Sequence, residues 1–384
     1  MLLTLLQRLD REQFLPYVVV PYQGQLVDEI KLLDIPVMQR SLLHWVPSIR
    51  AVKGNNRLIH LFHVLRGLRA RVWAVATLIE RNQIDLVYTN TVTCIEGAIA
   101  ARMTNTPHVW HIHEPTKQNS ELAPLLPATL YSTVIGTLSS SVIFPAQIVA
   151  KTYKTLKNKA AVVYNGLKIP ELRERTHSRA YVARCLGLDV DMKWVAVVGA
   201  LQPRKDHDTF LCAAKKILSK RSDVVFLIIG TGPQSYTSSI LKRIDSNGLQ
   251  SSVKLAGRWP EEIQYVMAAI DVLVISSEQE SFGLTAIEAL AMETPVVSTR
   301  CGGPEEIIED GINGYLVPVK DAEAMSDAIL DLLSNPEKAR AFGSNGRQLV
   351  GQRFTDQMYV TAIQKIMFEA ACLPNSLENS NSRT

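Results

Sequence analysis

Short, continuously apolar runs rich in Val and Ile alternate with amphipathic stretches along most of the chain, and this alternation restricts the fold more than any other feature. In the first half the runs are Tyr17–Val20, Leu86–Tyr88, Val109–Ile112, Ser141–Phe144 and Ala161–Tyr164. In the second they are Trp194–Val198, Val224–Ile229, Val253–Leu255, Val272–Ile275, Pro295–Ser298 and Tyr315–Val317. Helical periods such as Thr209–Leu218, Leu284–Met292 and Ala322–Leu333 lie between them. A strand that is apolar on both sides must be covered on both faces, and intervening helices supply that cover in parallel sheets. The expected class is α/β, with two doubly wound, Rossmann-like domains for 384 residues. Ligands of such sheets bind beyond the C-terminal strand ends, so the loops after the strands are where chemistry is sought.

Charge divides the chain as the strand pattern does. Residues 1–175 hold 20 Lys and Arg against 12 Asp and Glu, whereas the remainder holds 21 against 25. A basic half joined to a mildly acidic half suggests two units with different partners, while a total of +4 is too small to propose nucleic acid. The turn at Asn165-Gly166 and the polar segment Glu171–Arg179 place the boundary near residue 175. The expected layout is a first domain over 1–175 and a second over 176–355. A helix over 356–372 returns to the first domain, and a disordered polar tail covers 373–384. Cys94, Cys185, Cys212, Cys301 and Cys372 are widely spaced, which excludes a disulfide framework or zinc site and favours a reducing, cytoplasmic setting. Met1–Leu6 is too short for a signal peptide, and no run is long enough to span a bilayer. The uncharged stretch Leu122–Ala150 contains Pro, Ser, Thr and Gly and reads as a helix plus a strand.

The richest loop follows Val272–Ile275: Ser276-Ser277-Glu278-Gln279-Glu280-Ser281-Phe282-Gly283, opening into the helical run from Leu284. Unpaired amides and the positive dipole at a helix N-terminus suit a diphosphate, and Gly283 permits close approach to the backbone. Glu288, early in that helix, can accept two hydrogen bonds from a ribose diol, and Glu280 can reach hydroxyls of a second sugar. After Trp194–Val198 comes Gly199-Ala200-Leu201-Gln202-Pro203-Arg204-Lys205, whose two cations can neutralise a phosphate. Gly230-Thr231-Gly232-Pro233 follows Val224–Ile229 but lacks the last glycine of a dinucleotide fingerprint, Ser235 standing there instead. Cys301-Gly302-Gly303-Pro304 places a glycine pair before a proline suited to the first helical position.

In this order the loops resemble the GT-B-fold glycosyltransferases of family 4, the retaining group-1 glycosyl transferases. The likeness runs from Trp194 to Phe354. It includes Gly199…Pro203-Arg204-Lys205, Gly230-Thr231-Gly232-Pro233, Gly257-Arg258-Trp259, Glu280-Ser281-Phe282-Gly283…Glu288, Gly302–Ile307 and Asp310–Val317. The resemblance implies a nucleotide-diphosphate sugar bound in a cleft between domains. It gives Glu288 the ribose, Lys205 and Arg204 the diphosphate, and Glu280 the donor-sugar hydroxyls. The amides of Phe282, Gly283 and Leu284 meet phosphate and sugar, Gly199 and Gly230 line the same site, and Arg258 and Trp259 lie near the base. Where relatives carry a basic residue after the first-loop glycine, Ala200 stands here. No DxD-type ligand set stands in the matching loops, so neither a metal nor another cofactor is implied. Retention then proceeds by same-face attack with the leaving phosphate as base.

The N-terminal half resembles the family more loosely, as its acceptor domain. Asp85–Thr91 and Val109–Glu114 match its fourth and fifth strands, and His113 takes the position of a histidine near the reacting centre, with His111 two residues back as the neighbouring choice. The chain opens within what looks like the first helix, Leu2–Leu9, so the family's first strand and glycine-rich loop are expected to be missing. Residues 56–81 hold His60, His63, Arg66, Arg69 and Arg71 among apolar residues, and read either as a peripheral contact with an anionic membrane or as a domain helix with a solvated basic face. The expected activity is transfer of a sugar from a UDP- or GDP-sugar to a glycan or lipid-linked acceptor. The alternatives are a degenerate nucleotide-sugar-binding or scaffold protein and a GT-B sugar-nucleotide epimerase.

Overall fold

The computed structural model describes residues 1–47, 57–115, 127–156 and 158–372. The chain divides into two compact units, Met1–Gly166 with the chain from Asp356 onward, and Leu167–Thr355.

The first unit begins with α1 (Leu2–Arg8), β1 (Val18–Val20), α2 (Gln25–Lys31) and β2 (Val37–Gln39). It continues through α3 (Arg57–Leu65), α4 (Leu68–Arg81), β3 (Val87–Thr89), α5 (Glu96–Met103), β4 (His108–His111), α6 (Ala128–Leu138), β5 (Ser141–Phe144), α7 (Gln147–Ala150) and β6 (Ala160–Val162). β1 and β2 form a two-stranded parallel sheet, and β3-β4-β5-β6 a four-stranded parallel sheet in sequence order. The helix α1 serves both: Leu5 and Leu9 pack with Val109 and Ile143, while Leu6 packs with Ile30 and Ile35. The strand β2 has no counterpart among the runs read from the sequence. Its three residues follow Pro36, Val37 and Met38 half buried and Gln39 polar and exposed, so no continuous apolar run marks them.

The second unit contains α8 (Arg175–Leu186), β7 (Lys193–Val198), α9 (His207–Leu218), β8 (Val224–Ile229), α10 (Gln234–Ser246), β9 (Val253–Gly257), α11 (Gln264–Ala269) and β10 (Val272–Ile275). There follow α12 (Leu284–Ala291), β11 (Val296–Thr299), β12 (Gly314–Val317), α13 (Ala322–Ser334) and α14 (Pro336–Arg353). Its six parallel strands run in the order β12-β11-β10-β7-β8-β9. The central strands are buried on both faces, as their unbroken apolar runs require. The last helix, α15 (Asp356–Cys372), packs against α1 and β4 of the first unit, and Arg8 pairs with Asp356 at 2.8 Å.

The first unit ends at Gly166 rather than at residue 175. The polar segment 171–179, which helps to place that boundary in the sequence, carries the start of α8, whose Arg175 and Arg179 both pair with Asp271 beside β10. Arg179 also lies 4.0 Å above the Trp194 ring. Arg175 and Arg179 thus serve these pairs, while Glu171, Glu174, Thr176 and His177 are exposed to solvent. Within Leu122–Ala150 the structure places α6, β5 and α7, with 122–126 outside the described residues, as are Asn56 and the tail 373–384. Among the described residues no helix is long and apolar enough to cross a membrane.

Candidate active site

In the second unit the loops after β7, β8 and β9 are laced together by their backbones. Gly199 N–H donates to Ile229 O at 2.9 Å, Leu201 N–H to Thr231 O at 2.9 Å, and Gly230 N–H to Gly257 O at 2.7 Å. The fit is so close that a Cβ on Gly230 would lie 1.8 Å from Gly199 O. The loops after β10 and β11 are joined in the same way. Glu280 N–H donates to Cys301 O at 2.8 Å and Gly303 N–H to Glu280 O at 2.9 Å, so the Glu280 backbone is clamped on both sides.

That clamp aims the Glu280 carboxylate at the β7 loop, from which a 3-10 turn, Pro203–Lys205, projects two cations. Lys205 Nζ binds Glu280 Oε1, Arg204 stands 3.3 Å from Oε2, and Ser277 Oγ donates to Oε1 at 2.7 Å. Two further bonds fix the turn itself: Ser276 Oγ to Lys205 O at 2.7 Å, and Glu278 N–H to Arg204 O at 2.8 Å. Burial pushes the Glu280 pKa up, but Lys205, Arg204 and their hydrogen bonds outweigh it and hold the group below the ordinary carboxylate range. Glu280, Lys205 and Arg204, read from the sequence as contacts to different parts of a ligand, thus form one ion cluster 75 residues apart in the chain. Ser277 completes it.

Gly283 stands at the N-terminus of α12 with φ +103°, a conformation that favours glycine, and no acidic residue occupies the first turn. The first-turn amides and the dipole of this helix therefore offer positive potential beside the Lys205 cluster. Phe282 and Leu284 flank Gly283, Phe282 buried and Leu284 exposed. Glu288 lies one turn further on. Burial raises its carboxyl pKa to about 7, and its carboxyl has no hydrogen bond or ion pair among the described residues. Arg258 is exposed beyond β9, and Trp259 Nε1 donates to Glu262 O at 3.3 Å.

A separate cluster occupies the C-terminal ends of β3 and β4 in the first unit. His111, fully buried at the end of β4, shares a hydrogen bond between its Nδ1 and Tyr88 OH, and its Nε2 has no partner among the described residues. The His113 ring lies 4.0 Å from it, centroid to centroid. His113 Nε2 is 2.9 Å from Asn90 Oδ1, an acceptor, so the proton sits on Nε2 and Nδ1 is left as a bare acceptor. Burial pushes His113 down to about 4 and His111 further, so both rings are neutral at pH 7. His113 is thus built to accept a hydrogen bond and not to carry charge. Asn90 and Tyr88, which complete this arrangement, were not singled out in the sequence. Their position at the C-terminal end of a parallel strand was the available clue. His108 is bonded through both nitrogens, to Thr89 at 2.9 Å and Ser139 at 3.2 Å, and is a satisfied core residue.

Two parallel-sheet units, one presenting a cationic turn and an acid-free helix N-terminus at its strand ends, define a Rossmann-like α/β protein. The chain matches the Glycosyltransferase Family 4 model over residues 1–169 and the Glycosyl transferases group 1 model over 184–349. It belongs to the GT-B-fold glycosyltransferases of family 4. An uncharacterized glycosyltransferase of Methanocaldococcus jannaschii is 25% identical over 381 residues, covering 92% of this chain and 97% of the relative. A D-inositol 3-phosphate glycosyltransferase of Corynebacterium urealyticum is 33% identical over 209 residues, which is 52% of this chain and 49% of that protein. Among solved structures, Anabaena HepE in complex with UDP and glucose aligns with a TM-score of 0.76 at 22% identity, covering 95% of this chain and 94% of that one. A glycosyltransferase from Rickettsia africae aligns with a TM-score of 0.80 at 19% identity, covering 97% and 94%. These structural likenesses define the fold.

Proposed function

We propose that this protein is a retaining transferase that moves a hexose-type unit from a UDP-sugar to a glycan or lipid-linked acceptor. The observation that carries the reading is the Glu280–Lys205–Arg204 cluster set against the N-terminus of α12, with Glu288 unpaired one turn away. A diphosphate placed there meets Lys205, Arg204 and the Gly283 and Leu284 amides. These stabilise the charge that develops on the leaving nucleotide, with no other cofactor called on. Glu280 holds donor-sugar hydroxyls while keeping Lys205 in place, Glu288 takes the ribose diol, and Arg258 and Trp259 border the base. Gly199 and Gly230 form the floor, and His113 Nδ1 accepts a hydrogen bond from a sugar hydroxyl. That relatives of the same fold were solved with UDP and with UDP-glucose favours uridine as the base. The region 57–81 supports peripheral contact with an anionic membrane. Ile59, Phe62 and Leu65 on α3 and Trp73 on α4 are all more than half exposed, with Arg66 and Arg69 also exposed between them.

The direct test is a thermal-shift panel of nucleotides and nucleotide sugars. UDP-glucose at 100 times its Kd is expected to add about 2.7 kcal/mol to stability, and no shift with any nucleoside-diphosphate compound rejects the donor site. A second expectation follows from Glu288. Ribose hydroxyls donate to the ionised carboxylate, and at pH 6, one unit below a pKa of about 7, only about a tenth of the free protein is ionised. UDP-glucose carries no group titrating in this range. Its Kd should therefore fall about tenfold from pH 6 to pH 8 and then level off. In Glu288→Gln the slope should vanish. A slope that survives in that variant assigns the titration elsewhere.

A further inference from the structure

A single residue, Asp206, joins the Lys205 turn to the first turn of α9. It is buried, at φ +45° and ψ +59°. Most side chains are strained in this left-handed region, and after glycine it is Asn and Asp that enter it most readily. Asp206 also ends one element and starts the next. Its N–H donates to Pro203 O at 3.0 Å and closes the 3-10 turn. Its carboxylate caps α9, Oδ1 accepting from Thr209 N–H at 3.2 Å and Oδ2 from Thr209 Oγ1 at 2.6 Å. Backbone and side chain thus make separate demands at one position, and Asp or Asn meets both.

The cap also divides the charges. The carboxylate next to Lys205 in sequence is turned to the amides of α9, where Asp208 adds a further negative charge in the first turn. The N-terminus of α9 is therefore answered within the chain, unlike that of α12, and the Lys205 ammonium is left to Glu280. α9 itself is not free to shift when Asp206 changes. Phe210, Leu211, Ala213, Ala214 and Ile217 fix it in the core. Its first residue, the buried His207, shares a hydrogen bond through Nδ1 with Tyr236 OH at 3.2 Å. The turn Pro203–Lys205, by contrast, holds no buried residue. Strain at position 206 would therefore be relieved on the Lys205 side, moving the ammonium from the place where Glu280 meets it.

We propose that Asp206 is a positioning residue for the diphosphate, its left-handed backbone and its cap on α9 setting where the Lys205 ammonium stands. This role rests on the donor-site reading above, and Asp206 itself touches no ligand in it. The Kd of UDP and the Kd of uridine are measured by calorimetric titration of the full chain, and their ratio isolates what the diphosphate adds. The same two titrations, with the melting temperature, are run on Asp206→Ala, Asp206→Asn, Asp206→Gly and Lys205→Ala, and on the double variant that joins Asp206→Ala to Lys205→Ala.

Asp206→Ala is expected to raise the UDP Kd about fivefold with the uridine Kd unchanged. Asp206→Asn keeps both the backbone preference and the capping oxygen, and should stay within about twofold of the parent. Asp206→Gly keeps the backbone and loses the cap; it falls between the two, and stands in if the alanine variant fails to fold. Added to Lys205→Ala, Asp206→Ala should change the UDP Kd by less than about twofold, yet lower the melting temperature as it does in the parent. Equal weakening of UDP and uridine, a lower melting temperature with their ratio unchanged, or losses that simply add in the double variant would each overturn the proposal. If Lys205→Ala leaves the UDP Kd unchanged, the donor site is rejected instead, and the role of Asp206 falls with it.

Discussion

Replacing Lys205 with Ala is expected to lower the rate of glycosyl transfer by about 10²–10³-fold, the effect of removing one donor aimed at developing charge. The ground state loses less, because Arg204 and the α12 amides remain to hold a bound diphosphate, so the nucleotide Kd should rise by at most about tenfold. The measurement is kcat and nucleotide affinity on the same preparations. A kcat within threefold of the parent would remove Lys205 from the leaving-group role. Glu280→Ala should likewise reduce transfer, and the double variant should be little worse than either single one. Two groups that act only together give strongly non-additive losses.

The second large effect is on folding. In Gly230→Ala the new methyl would stand 1.8 Å from Gly199 O, and the backbone at φ +147° is itself unfavourable for alanine. Gly199 cannot yield, since its backbone is tied into the β7–β8–β9 loop lacing. A loss of about 3 kcal/mol is expected, or about 6–12 °C in melting temperature for a unit of this size. Gly248→Ala is the control. It has a positive φ of +68° but nothing within 4 Å, so it should cost about 1 kcal/mol. Equal losses at the two positions would show that conformational preference, and not the collision, governs Gly230.

Most of the strand frame was legible in the sequence because strands covered on both faces leave unbroken apolar runs, as at Val224–Ile229 and Val272–Ile275. The chain also showed which loops follow which strands, and so where the candidate residues gather. It did not show β2, whose two half-buried residues and exposed Gln39 carry no such run. Nor could it show that Glu280 grips Lys205, because the two meet only once β10 lies beside β7 in the sheet. The boundary falls at the Asn165-Gly166 turn that the sequence marks, whereas the polar stretch behind it draws the expected bound on to residue 175. A stretch rich in Arg and Glu reads as solvated until Asp271, nearly a hundred residues later, is seen to pair with Arg175. Asn90 was overlooked because its value depends on His113, reached only through parallel pairing of β3 with β4.

The placement of α15 bears on the order in which the chain can fold as it is made. The core of the first unit joins Leu5 and Leu9 to Tyr359, Val360 and Ile363, residues separated by almost the whole chain. The second unit draws only on the continuous stretch Leu167–Thr355. On an emerging chain, which folds by units as they are completed, the unit that comes second in the sequence is therefore the first able to close its core. The unit that begins the chain must wait, with part of its apolar surface uncovered, until synthesis has passed through the whole of its neighbour.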